Sequence, residues 1–209
     1  ALGDSVEVPV LGGKATLMGR VGPDQARHRL FALLDAAGVG SRLVVPRGYA
    51  TAVKERFVDV GAGGWRHLLR VDREEVTPVS DDLAGIVADK AIEVMAGGLD
   101  AVILSDYAKG FLVPALVRPV IDAANARGIP VLVDPKGGDW ERFEGADLIK
   151  CNEDEALDAS DDSYDAGMAC RMGLLVTSGE RGMTLHRQDE EEDFEVPARP
   201  VSVVDVCGC

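Results

Sequence analysis

Apolar and polar positions follow two different rhythms along this chain. Short continuous apolar runs alternate with longer stretches in which apolar residues recur every three or four positions. The runs are typical of buried parallel strands, and the longer stretches of amphipathic helices. Strands are predicted at 15–19, 43–45, 101–104, 129–133, 146–149, 174–177, 183–186 and 201–204. This order of elements predicts an α/β fold whose mostly parallel sheet is covered on both faces.

Helix start and stop signals complete the alternation. Capping residues and apolar periodicity predict helices over about 24–37, 81–95 and 113–127. Residues 153–172 are predicted to be partly helical, with a break at 160–163. The first helix should bury Leu30, Leu33 and Leu34 on one face. Pro119 should kink the third helix or shift its start, because proline lacks the backbone N–H that a helix interior uses.

One region departs from this pattern. Residues 51–60 and 67–72 are rich in β-branched and charged side chains, and the glycine-rich stretch 61–64 separates them. This is a hairpin signature, and its apolar/polar alternation indicates a sheet with one wet face. We interpret it as an antiparallel flap outside the central sheet, formed by about 50–72 with about 5–10.

Composition and charge narrow the class of protein. The 209 residues, 46% of them hydrophobic, predict a single domain with one sizeable core. Because the net charge is −14, nucleic acid is not an expected partner. No apolar run approaches the roughly 20 residues that span a bilayer, so we expect no membrane association. Acidity does not exclude an anionic small substrate held by a few local Lys and Arg side chains.

The acidic run and the cysteines have simple interpretations. The run at 189–193 is read as a solvated hairpin tip, with a metal or partner site as the alternative. Cys151, Cys170, Cys207 and Cys209 form no CxxC pair and have no histidine at zinc-ligand spacing. Reduced thiols of a cytoplasmic protein are the expectation, and a redox or metal role for the CxC at the end is the weaker alternative.

Four polar residues mark one edge of the predicted sheet. Asp106, Asp134, Asn152 and Thr177 each follow a predicted strand directly. Ligands of open α/β sheets bind at the carboxyl ends of the strands, so these groups should converge on one binding site.

Two of the loops at this edge pair an acid with a lysine. Asp106 and Lys109 could hold a sugar hydroxyl and an anionic oxygen together, with a helix cap and a surface lysine as the alternative. Asp134 could act on a metal through water and Lys136 on a phosphate. The alternative is an ordinary turn, because DPxG is a common turn sequence.

The other two loops suit a cation and a phosphate. Asn152 and Glu155 are one helical turn apart, and their oxygens suit Mg²⁺, with an N-cap in an acidic first turn as the alternative. Thr177, Gly179 and Gly182 could run backbone amides along a phosphate, or simply form a hairpin turn. The chain has no P-loop and no GxGxxG fingerprint, which disfavours a Rossmann oxidoreductase.

Taken in order, these motifs resemble the ribokinase (PfkB) family of carbohydrate kinases, and within it the D-glycero-β-D-manno-heptose-7-phosphate kinase branch of ADP-heptose biosynthesis. The resemblance covers most of the chain, through LGGKATLMGRVGPD (11–24), TAVKERF and LLRVDREE (51–75), LSDYAKG (104–110), PVLVDPKGGDWERFEGAD (130–147), CNEDEA (151–156), VTSGERGM (176–183) and VVDVCG (203–208). LSDYAKG with VDPKGGDWERF is specific to the branch, whereas the other turns mark only the superfamily.

The resemblance implies a ribokinase-like three-layer fold and phosphoryl transfer from ATP to the anomeric hydroxyl of a heptose 7-phosphate. The implied nucleotide-binding residues are Lys136, Asn152, Thr177, Gly179 and Gly182. The implied metal residues are Asn152, Glu155 and Asp134 for Mg²⁺, partly through water, and Asp205 for a monovalent cation. The expected substrate residues are Asp4, Lys54, Arg56, Arg70, Asp106 and Lys109, of which the three flap cations are our proposal for the 7-phosphate.

The end of the chain departs from the family. Gly208 corresponds to the start of an anion hole, and the family continues with AGD, whose aspartate is the general base; here Cys209 follows. We therefore expect an incomplete kinase domain, which a mass above 22.1 kDa would support. The alternatives are a kinase with another sugar-phosphate acceptor, such as a fructose phosphate, and a catalytically silent binding module that truly ends at Cys209. A homodimer through the flap stays open.

Overall fold

The computed structural model describes residues 12–61, 64–188, 190 and 192–199. Chain contacts divide it into two compact units, 1–77 and 78–209. The predicted single domain therefore stays a prediction. Several predicted features lie outside the described residues: Asp4, the flap segment 5–10, Asp189, Glu191, the strand 201–204, Asp205, Cys207, Gly208 and Cys209.

The first unit opens with a parallel βαβ arrangement. Strand β1 (Thr16–Arg20) pairs in parallel with β2 (Gly40–Val44), and helix α1 (Gln25–Ala36) connects them. Asp24 caps α1: its Oδ1 accepts from the backbone N–H of Arg27 at 3.0 Å. Strand β1 and helix α1 lie within one residue of the predicted positions, and β2 begins three residues before its predicted start.

Helix α1 buries a narrower face than its sequence predicts. Leu34 is 1% exposed, whereas Leu33 is 56% exposed. At their i, i+3 and i+4 spacing the three leucines lie on one face about 100° wide, and Leu33 is at its exposed margin. The prediction that all three are buried was therefore wrong at Leu33.

The predicted hairpin is present. Strand β3 (Val53–Gly61) pairs with β4 (Gly64–Arg73) in antiparallel register, with an irregularity between Phe57 and Val58. The prediction of one dry face was wrong, because cross-strand neighbours Phe57 and Leu69 are 48% and 49% exposed. A two-stranded ribbon has no inner layer of its own in which to bury such side chains.

The second unit holds the main sheet. Its helices are α2 (Asp81–Ala96), α3 (Pro114–Asn125), α4 (Glu153–Asp158) and α5 (Asp161–Met168). Its strands are β5 (Val102–Ser105), β6 (Val131–Asp134), β7 (Leu148–Asn152), β8 (Gly173–Thr177), β9 (Met183–His186) and β10 (Phe194–Val196). The strand order is β10-β9-β8-β7-β6-β5. Strands β5 to β8 are parallel, and β9 and β10 are antiparallel additions.

Helix α3 seals the core of this unit. It packs on α2 and β6 and fully buries Val117 and Ile121. Beneath it, Val131 and Val133 of β6 are buried in alternation. Pro119 lies inside α3 without shifting its start, since Val113 is the N-cap residue and Pro114 occupies the first turn.

The architecture agrees with the predicted fold class. A mostly parallel sheet, flanking helices and a small antiparallel strand pair are all present. The helical segment after β7 breaks where predicted, because Ser160 caps a new helix with its Oγ accepting from the N–H of Ser163 at 3.2 Å. Strand β10 was not predicted: its three residues are too few to show an alternation.

None of the described helices is long and apolar enough to cross a bilayer.

Candidate active site

The register of the parallel strands brings the predicted polar positions to one edge. Ser105, which precedes Asp106, pairs with Asp134, and Asn152 pairs directly with Thr177. The backbone N–H of Asp106 also donates to the carbonyl of Asp134 at 2.8 Å. The carboxyl edge of this sheet therefore carries all four residues side by side, and we call it the polar edge.

Asp106 is the most enclosed member of the polar edge. Its side chain is 4% exposed and pairs with Arg142, which donates from Nη2 to Oδ2. Its Oδ1 accepts from the backbone N–H of Ala108 at 3.0 Å. Ala108 has a φ of +52°. Arg142 was not among the residues that the sequence predicted, and its 36-residue separation from Asp106 left no local signal.

Lys136 and Glu155 form an ion pair across the polar edge. Lys136 Nζ lies 2.6 Å from Glu155 Oε1. Burial alone raises the pKa of Glu155, but the hydrogen bonds from Lys136 and from the N–H of Asn152, with the charges of Lys136 and Lys150, lower it overall. The hydrogen bond to Glu155 and its charge raise the pKa of Lys136. Both groups are therefore charged at neutral pH.

Asn152 and Glu155 also cap helix α4. The Oδ1 of Asn152 accepts from the N–H of Glu155 at 2.8 Å, and Oε2 of Glu155 accepts from the N–H of Asn152 at 3.1 Å. This reciprocal pair is a capping box, which stabilises the first turn of a helix. The N-cap alternative raised by the sequence is thus present, and it fixes the direction of both side chains.

Asp134 is paired with a lysine that the sequence reading did not single out. Lys150, on the neighbouring strand β7, donates from Nζ to Asp134 Oδ1 at 3.3 Å. Residues 150 and 152 are two apart in a strand and therefore share a face. The polar edge thus alternates acids with lysines, so a bound anion would compete with the carboxylates for the lysines.

The turn after β8 is built from the predicted hydroxyl and glycines. Thr177 donates from Oγ1 to the carbonyl of Cys151 at 3.2 Å. Gly179 and Gly182 have φ of +56° and +102°. Arg181 donates from Nη2 to both carboxylate oxygens of Glu153, which joins this turn to the first turn of α4. The hairpin alternative is also present, since the turn leads into β9.

A buried network holds the loop between β6 and β7. Trp140 is fully buried and donates from Nε1 to the carbonyl of Gly137 at 2.9 Å. Its backbone N–H donates to the Oγ of buried Ser163 at 3.2 Å, and Ser163 in turn donates to the carbonyl of Gly138. The loop that carries Lys136 is therefore anchored from inside. No local sequence pattern indicated this role for Ser163.

In the first unit, the three predicted flap cations share one face of the hairpin. Arg56 lies directly opposite Arg70, and Lys54 lies opposite Asp72, two positions along. Asp72 lies 3.2 Å from Lys54 and 2.8 Å from Arg70. Two arginines in cross-strand register repel each other, so an anion between them would be stabilising.

The polar edge fits a cation held mainly through water. The donors are amide and carboxylate oxygens, which Mg²⁺ prefers, and Mg²⁺ keeps several of its waters. Both oxygens of Glu155 already accept hydrogen bonds, and Asp134 is paired with Lys150. Among the residues that the structure describes, no three His, Cys, Asp or Glu side chains gather into a metal cluster.

The thiols of the two described cysteines and the described part of the acidic run are not among the groups that form the polar edge. Cys151 and Cys170 are not disulfide-bonded, and burial raises the pKa of Cys151 to about 12 and that of Cys170 to about 11. Both are therefore protonated, unreactive thiols at neutral pH. The described members of the acidic run lie in the β9–β10 connection, where Glu190 pairs with Arg187 and Asp193 with His186.

Comparison with known sequences identifies the family. The sequence pattern described as "pfkB family carbohydrate kinase" matches residues 6–209. The bifunctional protein HldE of Caulobacter vibrioides is 42% identical over 215 residues, covering 96% of this chain and 43% of the relative. The protein of the same name from Stutzerimonas stutzeri is 38% identical, covering 98% of this chain and 43% of the relative. The chain thus spans less than half the length of these relatives.

Solved structures share the fold. A putative ribokinase II from E. coli in its apo form has a TM-score of 0.66 at 19% identity, covering 96% of this chain and 68% of its own. Phosphofructokinase-2 from Escherichia coli in complex with fructose-6-phosphate also has a TM-score of 0.66, at 18% identity, covering 95% and 67%. With a ribokinase-like fold and a family pattern that matches nearly its whole length, this chain belongs to the pfkB family of carbohydrate kinases.

Proposed function

We propose that the protein carrying this chain is an ATP-dependent kinase for D-glycero-β-D-manno-heptose 7-phosphate. The product is the 1,7-bisphosphate, a precursor of ADP-heptose and lipopolysaccharide core. The observation that carries the proposal is the polar edge of a pfkB family chain whose LSDYAKG and VDPKGGDWERF motifs are typical of the heptose branch. Identities of 35–42% to proteins named HldE support the same branch.

The nucleotide is assigned to the β7–β8 end of the polar edge. There Thr177 offers a hydroxyl and Gly179 an exposed backbone to the phosphates, while buried Gly182 closes the turn that holds them. Lys136 stays protonated because its pKa is raised. A phosphate that displaces Glu155 from Lys136 exchanges one charge-assisted hydrogen bond for another.

Asn152 and Glu155, with Asp134, are assigned to Mg²⁺ through its waters. Mg²⁺ supplies charge neutralisation of the phosphates when it is bound. The capping box holds both side chains in fixed directions, so little ordering is needed when the cation and nucleotide arrive. Asp205 is assigned to a monovalent cation.

The sugar phosphate is assigned to the β5 loop and the flap. Asp106 and Lys109 lie on the sugar side of the polar edge, and Asp4 is a further contact for sugar hydroxyls. Lys54, Arg56 and Arg70 are assigned to the 7-phosphate, because a face that sets two arginines opposite each other favours a dianion. Gly208 begins the anion hole for the transferred phosphate.

The test is a kinase assay on the full chain with purified sugar phosphates. We expect ADP release that depends on heptose 7-phosphate and Mg²⁺, with the new phosphate on the anomeric carbon by ³¹P NMR. Turnover with a fructose phosphate and none with the heptose phosphate would show that the protein is a kinase with a different acceptor. ATP and sugar binding without ADP release would support a silent binding module instead. A cytoplasmic location and a homodimer stay predictions.

A further inference from the structure

We propose that Arg142 is a positioning residue for the sugar side of the active site, acting through Asp106 on the loop 106–110. The proposal rests on the proposed sugar-kinase function and adds a residue to it. Arg142 follows the loop that carries Lys136 and lies in the short 3₁₀ turn Glu141–Phe143. It thereby connects the loops after β6 and β5.

The Arg142–Asp106 pair is enclosed. The side chains are 19% and 4% exposed, respectively. Removing the guanidinium would leave the buried carboxylate of Asp106 without its ion-pair partner, which is strongly unfavourable. The Nε of Arg142 is also buried and has no hydrogen-bond partner among the described residues. Asp139, whose side chain is 69% exposed, has its Oδ2 4.0 Å from this Nε, so the hydrogen bond to buried Asp106 is the closer of the two carboxylate contacts of Arg142.

Asp106 transmits this contact to the loop. Its second oxygen accepts from the N–H of Ala108, whose φ of +52° lies in the left-handed region. Ala108 is the only residue other than glycine with a positive φ in the described part of the chain. An alanine in that region is strained because its Cβ approaches the following carbonyl oxygen, so surrounding contacts must hold it. Lys109 comes next in the chain, and its direction depends on that conformation.

The backbone segment that carries Arg142 is rigid. Its neighbours Trp140 and Phe143 are fully buried, and Ser163 fixes the backbone of Trp140. The guanidinium also lies over the ring of Phe143, 4.8 Å from its centroid. Because these contacts fix the backbone around Arg142, the β6–β7 loop sets the position of Asp106. Asp106 in turn sets the position of the β5 loop.

The burial of Asp106 favours a role in positioning the loop over direct contact with the sugar phosphate. Both carboxylate oxygens already accept hydrogen bonds from the protein. In this arrangement Asp106 is an anchor of the loop, and Lys109 is the group that the loop presents. Loss of Arg142 should therefore release the loop and weaken the sugar phosphate more than ATP.

The experiment compares Arg142→Ala and Arg142→Lys with Arg171→Ala in the full chain. Arg171 is the matched control: its Nε lies 2.6 Å from Oδ1 of Asp147, another nearly buried carboxylate, but at the amino ends of the strands. For Arg142→Ala we expect the KM for the sugar phosphate to rise about tenfold or more, with the KM for ATP changed less than about twofold. Arg142→Lys should recover at least about a third of that loss. Arg171→Ala should leave both KM values near wild type.

Hydrogen exchange supplies a readout that needs no activity. Amides of 107–110 should exchange faster in Arg142→Ala than in wild type. In Arg171→Ala their exchange rates should equal those of wild type. If no sugar phosphate is turned over by the wild type, the proposed function fails while this measurement still decides the loop anchor. A raised KM with unchanged exchange would show direct substrate contact and overturn the positioning role. Faster exchange with an unchanged KM would show that the loop conformation does not affect sugar binding, which would also overturn the positioning role. If Arg142→Ala does not fold, Arg142→Lys and Asp106→Asn carry the same comparison.

Discussion

Asn152 combines a structural role with a proposed functional one, and the two can be separated. Its amide oxygen caps α4, so Asn152→Ala should lower the free energy of unfolding by about 1 kcal/mol. Under the proposed function the same variant should also need more Mg²⁺ for half-maximal activity. Urea denaturation and a Mg²⁺ titration of the kinase rate measure the two effects.

Ser80→Ala is the control for this prediction. Ser80 caps α2 in the same manner, with its Oγ accepting from the N–H of Leu83 at 3.3 Å, but it is not one of the three residues assigned to Mg²⁺. We expect a similar loss of stability and an unchanged Mg²⁺ requirement. If Asn152→Ala behaves like Ser80→Ala in both assays, Asn152 is a cap alone.

Glu155 predicts a pH dependence of stability. Its pKa is lowered in the folded chain, because the hydrogen bond from Lys136 and that from the N–H of Asn152 outweigh the effect of burial. A lowered carboxyl pKa contributes stability above the ordinary value of 4.5, and the contribution is lost as the pH falls through the folded-state pKa. Glu155→Gln keeps an acceptor for the N–H of Asn152 and removes only the charge.

The variant should therefore be less stable than wild type at pH 7, and the difference should close as the pH falls below 4.5. Urea unfolding at a series of pH values measures it. A difference that stays constant down to pH 3 would show that the charge of Glu155 contributes nothing.

At the scale of elements, Gly182 brings the turn after β8 close to strand β10. A Cβ at this position would lie 2.0 Å from the carbonyl oxygen of Val196. Gly182→Ala must therefore displace β10 in addition to straining the backbone, and should cost about 3 kcal/mol or more. Gly98 has a φ of +92° with open space around it, so Gly98→Ala should cost only about 1 kcal/mol. Thermal and urea unfolding compare them, and equal losses would contradict the close approach.

The elements themselves were largely predictable from the sequence. Continuous apolar runs located β5 to β8 because a parallel strand is buried on both faces and needs apolar residues throughout. Capping residues such as Ser80 located helix starts because their side chains satisfy otherwise unpaired N–H groups. The rule that ligands bind at the carboxyl ends of strands then predicted the polar edge.

What the sequence could not supply were contacts between distant loops. Arg142 and Asp106 are 36 residues apart, and Ser163 reaches the carbonyl of Gly138 across 25. No local periodicity encodes such pairs, since they depend on how the strands align in the sheet. The exposure of Leu33 was missed for a related reason, because an apolar residue at the margin of a helix face is buried only if a neighbour covers it.

At the scale of the whole molecule, the excess of acidic side chains affects the stability of the fold. A net charge of −14 destabilises the compact state by self-repulsion, and salt screens that repulsion. Raising the salt from low ionic strength to about 0.5 M should stabilise the protein by about 1 kcal/mol, which corresponds to a Tm increase of about 2–4 °C for a chain of this size. Differential scanning fluorimetry in choline chloride measures screening alone, since choline is too large for a small-cation site.

The same series in KCl and NaCl tests the monovalent cation proposed at Asp205. Screening depends on ionic strength and not on the identity of the cation, so the three salts should give equal increases if self-repulsion is the whole cause. A specific site adds a stabilisation that grows with the logarithm of cation concentration above its dissociation constant. We expect KCl to exceed choline chloride at equal ionic strength, and Asp205→Asn to remove the excess while leaving the shared increase. Superimposable curves for the three salts would rule the cation site out, whereas a flat response to all of them would show that the acidic surface is already balanced locally by ion pairs such as Lys136 with Glu155.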